Sequence, residues 1–379
     1  MRSIYSASRI FTGDDWLEDH AIVINEGIIE EIVPIRSLRS DQNAVHTGDG
    51  FIAPAFIDMQ IYGAQGKLLA VYPEPDSLVK LVEYCRNGGA AWCQPTVATN
   101  SREVFFRCID AVRAYWKTGA SGVLGLHLEG PWINKSKRGA HLESFIHSPG
   151  IEEVKEMLAY GKDVVTMITL APEICSREIV EYILSQNVIV AAGHSNATYE
   201  EATQSFNNGI STVTHLYNAM SPLQHRAPGL AGATMDHDKV MSSIIPDGHH
   251  VDYAAIRIAK QAMKERLYAI TDAVTETTEG PYPHHLVGDK YEAAGILSGS
   301  ALTMQKALYN LIYEVNVSPE EALRMCSLYP AKVFGIDDRS GRIEVGYRAE
   351  LVMLEDKTYK VILPPQSPFH HIPLLPQSE

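Results

Sequence analysis

The pattern of apolar and polar residues divides the chain into two β-rich ends and an alternating middle. Residues 21–33 form two short apolar runs around Asn25, Glu26 and Gly27, which predicts a β-hairpin. Residues 341–354 have a similar character near the other end. We therefore predict one small β-domain built from residues 1–53 and 341–379, with a central domain at 54–340. The tail from Pro364 holds five prolines in sixteen residues, which predicts an extended, irregular segment.

In the middle of the chain, short runs rich in β-branched residues alternate with segments of helical periodicity. Eight strands are predicted, near 55–61, 91–97, 122–129, 163–170, 187–193, 211–215, 240–246 and 267–272. The clearest helix covers residues 76–87, with its apolar residues on one face and two glycines after its end. Capping-box patterns at 198–201 and 318–321 predict two further helix starts.

This alternation favours an α/β fold, a (β/α)8 barrel of the TIM type, joined to a small β-sandwich domain formed from both termini. A doubly wound parallel sheet is the competing architecture. Such a sheet usually has a glycine-rich phosphate-binding loop after its first strand. Residues 60–66 read Gln-Ile-Tyr-Gly-Ala-Gln-Gly and lack that pattern, so the barrel is preferred.

The net charge limits the classes of partner, and the cysteines indicate the cellular compartment. Acidic residues outnumber basic ones, 46 to 32, which gives a formal net charge of -14. This charge argues against nucleic acid and anionic membranes as partners, although a few local cations can still bind one phosphate. Five scattered cysteines without a CxxC pair, and no export signal at the N-terminus, predict reduced thiols in the cytoplasm. No apolar run approaches the roughly 18 residues that span a bilayer.

Residues that can bind a metal or transfer a proton lie at the ends of the predicted strands. Glu129 ends the third strand, His194 the fifth, His215 the sixth and Asp272 the eighth, whereas His249 and His250 follow the seventh. In a barrel all these positions meet at the C-terminal mouth, where barrel enzymes have their active sites.

Two imidazoles and a carboxylate are a common ligand set for a catalytic divalent ion. Such an ion brings the pKa of a bound water to about 7, and a nearby carboxylate can then transfer the proton. We assign that carboxylate to Asp272, so the predicted reaction is hydrolysis of an amide-like bond. His127 shares the strand face of Glu129, and two interpretations stay open for it: support of the metal site, or an ordinary core residue.

Several motifs resemble those of the N-acetylglucosamine-6-phosphate deacetylases, a family within the amidohydrolase superfamily. They are His-Leu-Glu-Gly-Pro at 127–131, Lys-Arg-Gly-Ala-His at 137–141, Gly-His-Ser-Asn-Ala-Thr at 193–198, Thr-His-Leu-Tyr-Asn-Ala-Met at 214–220 and Asp-Gly-His-His-Val-Asp-Tyr at 247–253. Further matches are Pro-Gly-Leu-Ala-Gly at 228–232, Thr-Asp-Ala at 271–273 and Leu-Ser-Gly-Ser at 297–300. The resemblance extends over nearly the whole chain.

The resemblance implies removal of acetate from N-acetylglucosamine 6-phosphate by a metal-activated water. It implies Glu129, His194 and His215 as metal ligands, Asp272 as the acid and base, and His141 as a sugar contact that polarises the acetyl carbonyl. The implied substrate contacts are Ala140 through its main chain, Asn218, Ala219, Arg226 and His250 at the phosphate, and Leu297, Ser298 and Gly299 in a loop against the sugar. It also implies a homodimer, with part of the phosphate site supplied by the neighbouring subunit.

The first strand departs from many amidohydrolases, which have two histidines there for a second metal. Gln60 and Tyr62 occupy those positions, and the fourth strand end has no lysine to bridge two ions. Gln60 is assigned instead to substrate binding. One divalent ion is expected, with zinc preferred over iron, manganese and cobalt. The competing interpretations are an amidohydrolase for a different acetamido sugar or an N-acyl amino acid, and a non-catalytic barrel that binds sugar phosphates.

Overall fold

The structure is a computed structural model that describes residues 2–38, 44–46, 48, 50–293 and 295–365. Its main element is a parallel sheet of eight strands whose order follows the chain. The strands are Phe56–Ile61, Ala90–Ala98, Leu126–Glu129, Val165–Leu170, Ile189–Ala192, Thr212–Val213, Met241–Ile244 and Leu267–Ala269. All eight coincide with predicted strands, so the predicted barrel is confirmed.

The sheet closes where the chain beyond the eighth strand meets the first. The Asp272 amide donates to the Gln60 carbonyl and the Tyr62 amide donates to the Ala273 carbonyl, both at 2.9 Å. Residues that follow the last strand therefore continue the hydrogen bonding of the barrel and are fixed at its mouth.

All the barrel strands except the second are shorter than their patterns predict, and the third, sixth and eighth are the shortest relative to their predicted lengths. The third covers Leu126–Glu129 and not 122–129, because Gly122 and Gly125 have φ of 102° and 122°, outside the strand region. The sixth is reduced to Thr212–Val213 and the eighth to Leu267–Ala269. In both, the residues beyond the strand turn toward the barrel mouth.

Helices follow the strands and cover the outside of the barrel. They are Pro75–Asn87, Arg102–Lys117, Ile151–Gly161, Arg177–Ser185, Tyr199–Asn207, Gly229–Asp236, Tyr253–Met263, Met304–Tyr313, Pro319–Cys326 and Leu328–Phe334. Short 3-10 turns cover Ile35–Ser37, Lys135–Lys137, Glu143–Phe145, Pro172–Ile174 and Lys264–Arg266.

Both predicted helix starts are present, but only one of them has the complete capping box. Thr198 and Glu201 form the reciprocal capping box, whereas Ser318 caps its helix by accepting from the Glu321 amide without a reciprocal bond. The Glu321 carboxylate instead accepts from Lys260 and from Tyr329, so its position is set by tertiary contacts.

The two ends of the described chain form one hydrogen-bonded sheet of seven strands, as the β-domain prediction requires. They are Arg2–Phe11, Trp16–Asn25, Ile28–Pro34, Val45–His46, Gly50–Pro54, Leu351–Glu355 and Val361–Leu363. The predicted hairpin is present, with Asn25 opposite Ile28 and with Glu26 and Gly27 at φ of 50° and 81°. The domain boundaries after residues 53 and 340 stay predictions, and most of the proline-rich tail, 366–379, lies outside the described residues.

Two small elements lie near the barrel mouth, and neither is predicted above. Strands Gly63–Ala64 and Lys67–Leu68 pair after the first barrel strand. Strands His285–Val287, Lys290–Ala293 and Ile296–Ser300 form an antiparallel insertion after the eighth. The insertion carries the residues of the predicted substrate loop.

Candidate active site

The strand-end residues meet around one cavity of about 210 Å³ at the barrel mouth. Glu129 is the last residue of the third strand, and His194 and His215 each lie two residues beyond their strands. Among the cavity-lining residues are Glu129, His141, His194, His215, His250 and Asp272. Residues separated by more than 140 positions are thus brought together by the closed sheet, as the strand-end pattern predicts.

Three of these residues have a left-handed backbone conformation. The φ angles of His194, His215 and Asp272 are 48°, 35° and 54°. Non-glycine residues rarely adopt this conformation, which costs on the order of 1–3 kcal/mol each and is concentrated at functional sites. The sequence pattern does not predict these left-handed angles, because each one arises from the turn that the chain makes beyond the end of a strand.

The Glu129 carboxylate lies at the centre of the cluster and is fully buried. Its Oε1 atom is 3.1 Å from His194 Nε2 and 3.0 Å from His215 Nε2. Its Oε2 atom is 3.2 Å from His141 Nε2 and accepts a short hydrogen bond from the Tyr62 hydroxyl. The two oxygens of one carboxylate therefore face different sets of partners.

The hydrogen bonds on the far side of two imidazoles indicate their tautomers. His194 Nδ1 is 2.9 Å from the Lys137 carbonyl, which only accepts, so Nδ1 carries the hydrogen and Nε2 has a lone pair. His141 Nδ1 accepts from the Thr99 amide at 3.3 Å, so the hydrogen lies on Nε2. In these tautomers His194 Nε2 has a lone pair that faces Glu129, and His141 Nε2 has a hydrogen.

Burial and charge shift the acidity of the two central carboxyls in opposite directions. Burial raises the pKa of Glu129, but the surrounding imidazoles His194 and His141 outweigh it, and the pKa lies well below its usual value. Burial, together with the negative charges of Glu129 and Asp247, raises the pKa of Asp272 well above its usual value. The two neighbouring carboxyls therefore differ in acidity, and Asp272 is the weaker acid of the pair.

His127 lies beneath this cluster, away from the cavity lining. Its Nε2 is 2.7 Å from the Thr169 hydroxyl and its Nδ1 is 3.3 Å from the Thr96 hydroxyl. Burial lowers its pKa to about 4, so the ring is neutral at pH 7. Of the two interpretations left open by the sequence, the contacts favour a buried, hydrogen-bonded core residue.

The residues implied in phosphate binding separate into two groups. Asn218, Ala219 and His250 line the cavity, whereas Arg226 is exposed and is not among the lining residues of its own chain. The Asp247 carboxylate holds His250, with 2.6 Å between Oδ2 and the imidazole Nδ1. The neighbouring His249 points to a different partner, the Asp289 carboxylate 2.7 Å away, and lies outside the lining.

The predicted loop residues Leu297, Ser298 and Gly299 line the cavity, and so does Ala140. Sequence reasoning missed two lining residues from the segment just before the antiparallel insertion, Tyr282 and His284. His284 Nδ1 is 2.9 Å from the Ser298 hydroxyl, which fixes the imidazole against the loop. Their segment is rich in proline and looks like an ordinary loop, so the sequence offers no signal for their position.

Gln60 lies behind the cavity and is not among its lining residues, whereas Tyr62 is. The Gln60 amide nitrogen is 2.8 Å from the Tyr62 hydroxyl, 2.8 Å from Asp272 Oδ1 and 3.2 Å from Glu129 Oε1. Gln60 thus contacts both central carboxylates, a role that the sequence did not predict.

The donor set suits a divalent ion. Glu129, His141 and His194 have nitrogen or oxygen atoms within 4.8 Å of one another, and His141 could serve as a ligand only if its Nε2 lost the hydrogen assigned above. His215 adds a fourth nitrogen, 3.0 Å from the same Glu129 oxygen that His194 faces. A buried carboxylate surrounded by imidazole nitrogens is the environment in which proteins bind zinc and similar ions.

The cavity carries no cysteine among its lining residues, and the five cysteines of the described chain are free thiols. In the part of the chain that the structure describes, every helix is too short or too polar to cross a bilayer.

Comparison with known proteins identifies the family of the chain. The amidohydrolase family matches residues 51–372, and the NagA composite domain matches residues 6–46. An N-acetylglucosamine-6-phosphate deacetylase of Haemophilus influenzae is 32% identical over 93% of this chain and 95% of its own length. An N-acetylgalactosamine-6-phosphate deacetylase of Escherichia coli is 31% identical over 94% of this chain and 96% of its own length.

Solved structures extend the likeness to the whole fold. The crystal structure of N-acetylglucosamine-6-phosphate deacetylase from Pasteurella multocida superposes with a TM-score of 0.92 and 32% identity, covering 97% of this chain and 99% of the other. The chain therefore belongs to the amidohydrolase family and, within it, to the group of N-acetylglucosamine-6-phosphate deacetylases.

Proposed function

We propose that this protein hydrolyses the acetamido group of N-acetylglucosamine 6-phosphate, giving glucosamine 6-phosphate and acetate in amino sugar catabolism. The observation that carries the proposal is the pairing of a Glu129–His194–His215 cluster with Asp272 in one cavity. A metal site with a separate proton-transfer carboxyl is what amide hydrolysis needs. A barrel that only binds sugar phosphates has no physical need for that pairing.

Glu129, His194 and His215 are the proposed ligands of one divalent ion. When bound, the ion supplies the charge that activates a water for attack on the amide. His215 is preferred over His141 because His215 and His194 approach the same oxygen of Glu129, while His141 is arranged as a donor through its Nε2 hydrogen.

Asp272 and His141 perform the remaining chemistry in this proposal. Asp272 takes a proton from the attacking water and returns it to the leaving amine, a role that suits its raised pKa. The His141 Nε2 hydrogen polarises the acetyl carbonyl, so that negative charge on this oxygen meets a donor.

The sugar and phosphate are assigned to cavity-lining residues outside the Glu129 cluster. Asn218, Ala219 and His250 bind phosphate oxygens, and Ala140 with the loop Leu297–Gly299 contacts the sugar. Since Arg226 is exposed on its own chain, we assign it to the phosphate of a neighbouring subunit in a homodimer. The net charge of -14 makes such local donors necessary for an anionic substrate.

Zinc is the proposed ion, because its preference for imidazole and carboxylate ligands fits this set, with iron, manganese and cobalt as alternatives. A single ion is proposed, since Gln60 and Tyr62 offer no second ligand pair. The cytoplasm is the proposed compartment, in agreement with five free cysteines.

The test is acetate release from N-acetylglucosamine 6-phosphate, its unphosphorylated form and the corresponding galactosamine phosphate, each with and without a chelator. We expect rapid release from the glucosamine phosphate, slow release without phosphate, and loss of activity in chelator that zinc restores. Equal use of phosphorylated and unphosphorylated sugars would contradict the phosphate assignment. A chain that holds zinc but releases no acetate would indicate the binding protein instead.

A further inference from the structure

We propose that Tyr62 is a positioning residue whose hydroxyl fixes one oxygen of Glu129, so that the other oxygen is presented to the metal ion. The inference rests on the metal site proposed above. It concerns a residue that replaces a usual metal ligand and that the deacetylation chemistry does not otherwise use.

The backbone of Tyr62 is fixed on both sides. Its amide donates to the Ala273 carbonyl at 2.9 Å, and its carbonyl accepts from the Leu69 amide at 3.0 Å. These bonds tie it to the barrel closure and to the short hairpin that follows the first strand. Its side chain extends from this anchored position into the cavity wall.

The hydroxyl of Tyr62 has a defined direction. It accepts from the Gln60 amide at 2.8 Å, so its single hydrogen is left for Glu129 Oε2, with which it makes a short bond. The same oxygen is 3.2 Å from His141 Nε2, the nitrogen that carries a hydrogen. Without substrate, Glu129 Oε2 is therefore held by two donors, and when the acetyl carbonyl takes the His141 hydrogen, the Tyr62 hydroxyl remains as its donor.

The other oxygen of Glu129 has different surroundings. The Gln60 amide has two hydrogens, and its two shorter contacts, at 2.8 Å, are with Tyr62 and Asp272. Its contact with Glu129 Oε1 is longer, at 3.2 Å. Oε1 instead faces His194 Nε2, which has a lone pair, and His215 Nε2. The lone pair of His194 Nε2 and the electron pairs of Glu129 Oε1 repel one another unless a cation lies between them.

Tyr62 thus separates the two oxygens of Glu129 into one that is hydrogen-bonded and one that is free for coordination. Without the hydroxyl, Oε2 keeps only the His141 contact and the carboxylate can rotate. Groups that orient a metal ligand by hydrogen bonds typically contribute 10- to 100-fold to metal affinity. Phenylalanine at this position should retain the cavity wall and lose that contribution.

The experiment measures zinc affinity of the full chain by competition with a chelator of known affinity. Tyr62→Phe is compared with wild type and with Tyr115→Phe, which loses a buried hydroxyl bonded to the Ser121 carbonyl at 2.7 Å in the helix Arg102–Lys117. We expect zinc to bind Tyr62→Phe about 10- to 100-fold more weakly, and Tyr115→Phe as tightly as wild type.

A thermal melt of each zinc-free protein separates positioning from stability. Unchanged zinc affinity in Tyr62→Phe, or an equal loss in Tyr115→Phe, would overturn the inference. Wild-type protein that fails to bind zinc or to release acetate would instead overturn the proposed function. Should Tyr62→Phe not fold, Gln60→Met removes the group that orients the hydroxyl, and the same weakening of zinc binding is expected.

Discussion

Asp272 shows how much of the site depends on the conformation of a single residue. Its backbone is left-handed, its amide donates to the Gln60 carbonyl at 2.9 Å, and its carbonyl accepts from the Ser300 amide at 3.0 Å. Its carboxylate is held by the Gln60 amide at 2.8 Å. Both backbone groups and the side chain are therefore fixed before a substrate arrives, which reduces the reorganisation that the reaction requires.

Replacing Asp272 by asparagine removes proton transfer but retains the shape and an acceptor for Gln60. We expect the Asp272→Asn variant to lose about 10²- to 10⁴-fold in kcat, the range that general acid and base catalysis contributes. Its zinc content should equal that of wild type, since the residue is not a proposed ligand. Acetate release and metal analysis on the same preparation test both expectations. Loss of the metal would place Asp272 among the ligands.

At this scale, sequence reasoning predicted the identities of the central residues but not the tautomers of their imidazoles. Glu129, His194, His215 and Asp272 were found because each lies at or just beyond the end of a strand, and parallel strands end at one rim. The tautomers of His194 and His141 depend on the Lys137 carbonyl and the Thr99 amide, which lie far away in the chain. No pattern in the sequence identifies those partners.

At the scale of elements, the junction of the first and eighth strands combines main-chain and side-chain bonds. Asp58, within the first strand, accepts from the Thr271 hydroxyl at 2.6 Å and from the Thr271 amide at 3.1 Å. Burial raises the pKa of Asp58 to about 6, although the bonds from Thr271 oppose the shift. The carboxyl that joins these strands is thus partly protonated at mildly acid pH.

The sign of the pH effect on stability follows from this shift. Between pH 4 and 6 the folded state binds a proton at Asp58 that the unfolded state has lost, so Asp58 stabilises the fold less as pH rises. Asp58→Asn removes this titration. We expect the unfolding free energy of wild type minus that of Asp58→Asn to fall by up to about 3 kcal/mol from pH 4 to pH 7. Urea unfolding at both pH values measures it, and a difference independent of pH would contradict the assignment.

The elements themselves were largely predictable, because all eight barrel strands show apolar, β-branched runs. The ends of the strands were less predictable than the strands themselves. The third strand begins only after Gly125, and the eighth stops at Ala269. The antiparallel insertion at 285–300 was missed, although Gly288 and Asp289 between Val287 and Lys290 have the form of a two-residue hairpin turn. Its strands are too short and polar to stand out.

At the scale of the whole molecule, one proposed contact crosses between subunits. If Arg226 binds the phosphate of a neighbouring subunit, Arg226→Ala should mainly raise KM for the phosphorylated sugar, since the contact supplies binding energy equally in ground and transition states. The location of Arg226 outside its own cavity is the reason to expect this arrangement.

Mixed dimers test the arrangement directly. Consider a dimer of one Arg226→Ala chain and one Asp272→Asn chain. If each active site takes its Arg226 from the partner subunit, one site keeps both residues and the other site lacks both. We expect such dimers, purified with two different affinity tags, to recover about half of the wild-type kcat/KM per dimer. If Arg226 serves its own subunit, both sites stay defective and no recovery follows.

The sheet that joins Arg2–Phe11 and Gly50–Pro54 to Leu351–Glu355 has a consequence for synthesis. The strand Gly50–Pro54 lies between Arg2–Phe11 and Leu351–Glu355, so one of its edges stays unpaired until the ribosome has added about 300 further residues. Throughout translation, that edge is open to pairing with a neighbouring nascent chain. Synthesis of Leu351–Glu355 therefore removes an aggregation risk that the exposed edge of Gly50–Pro54 creates.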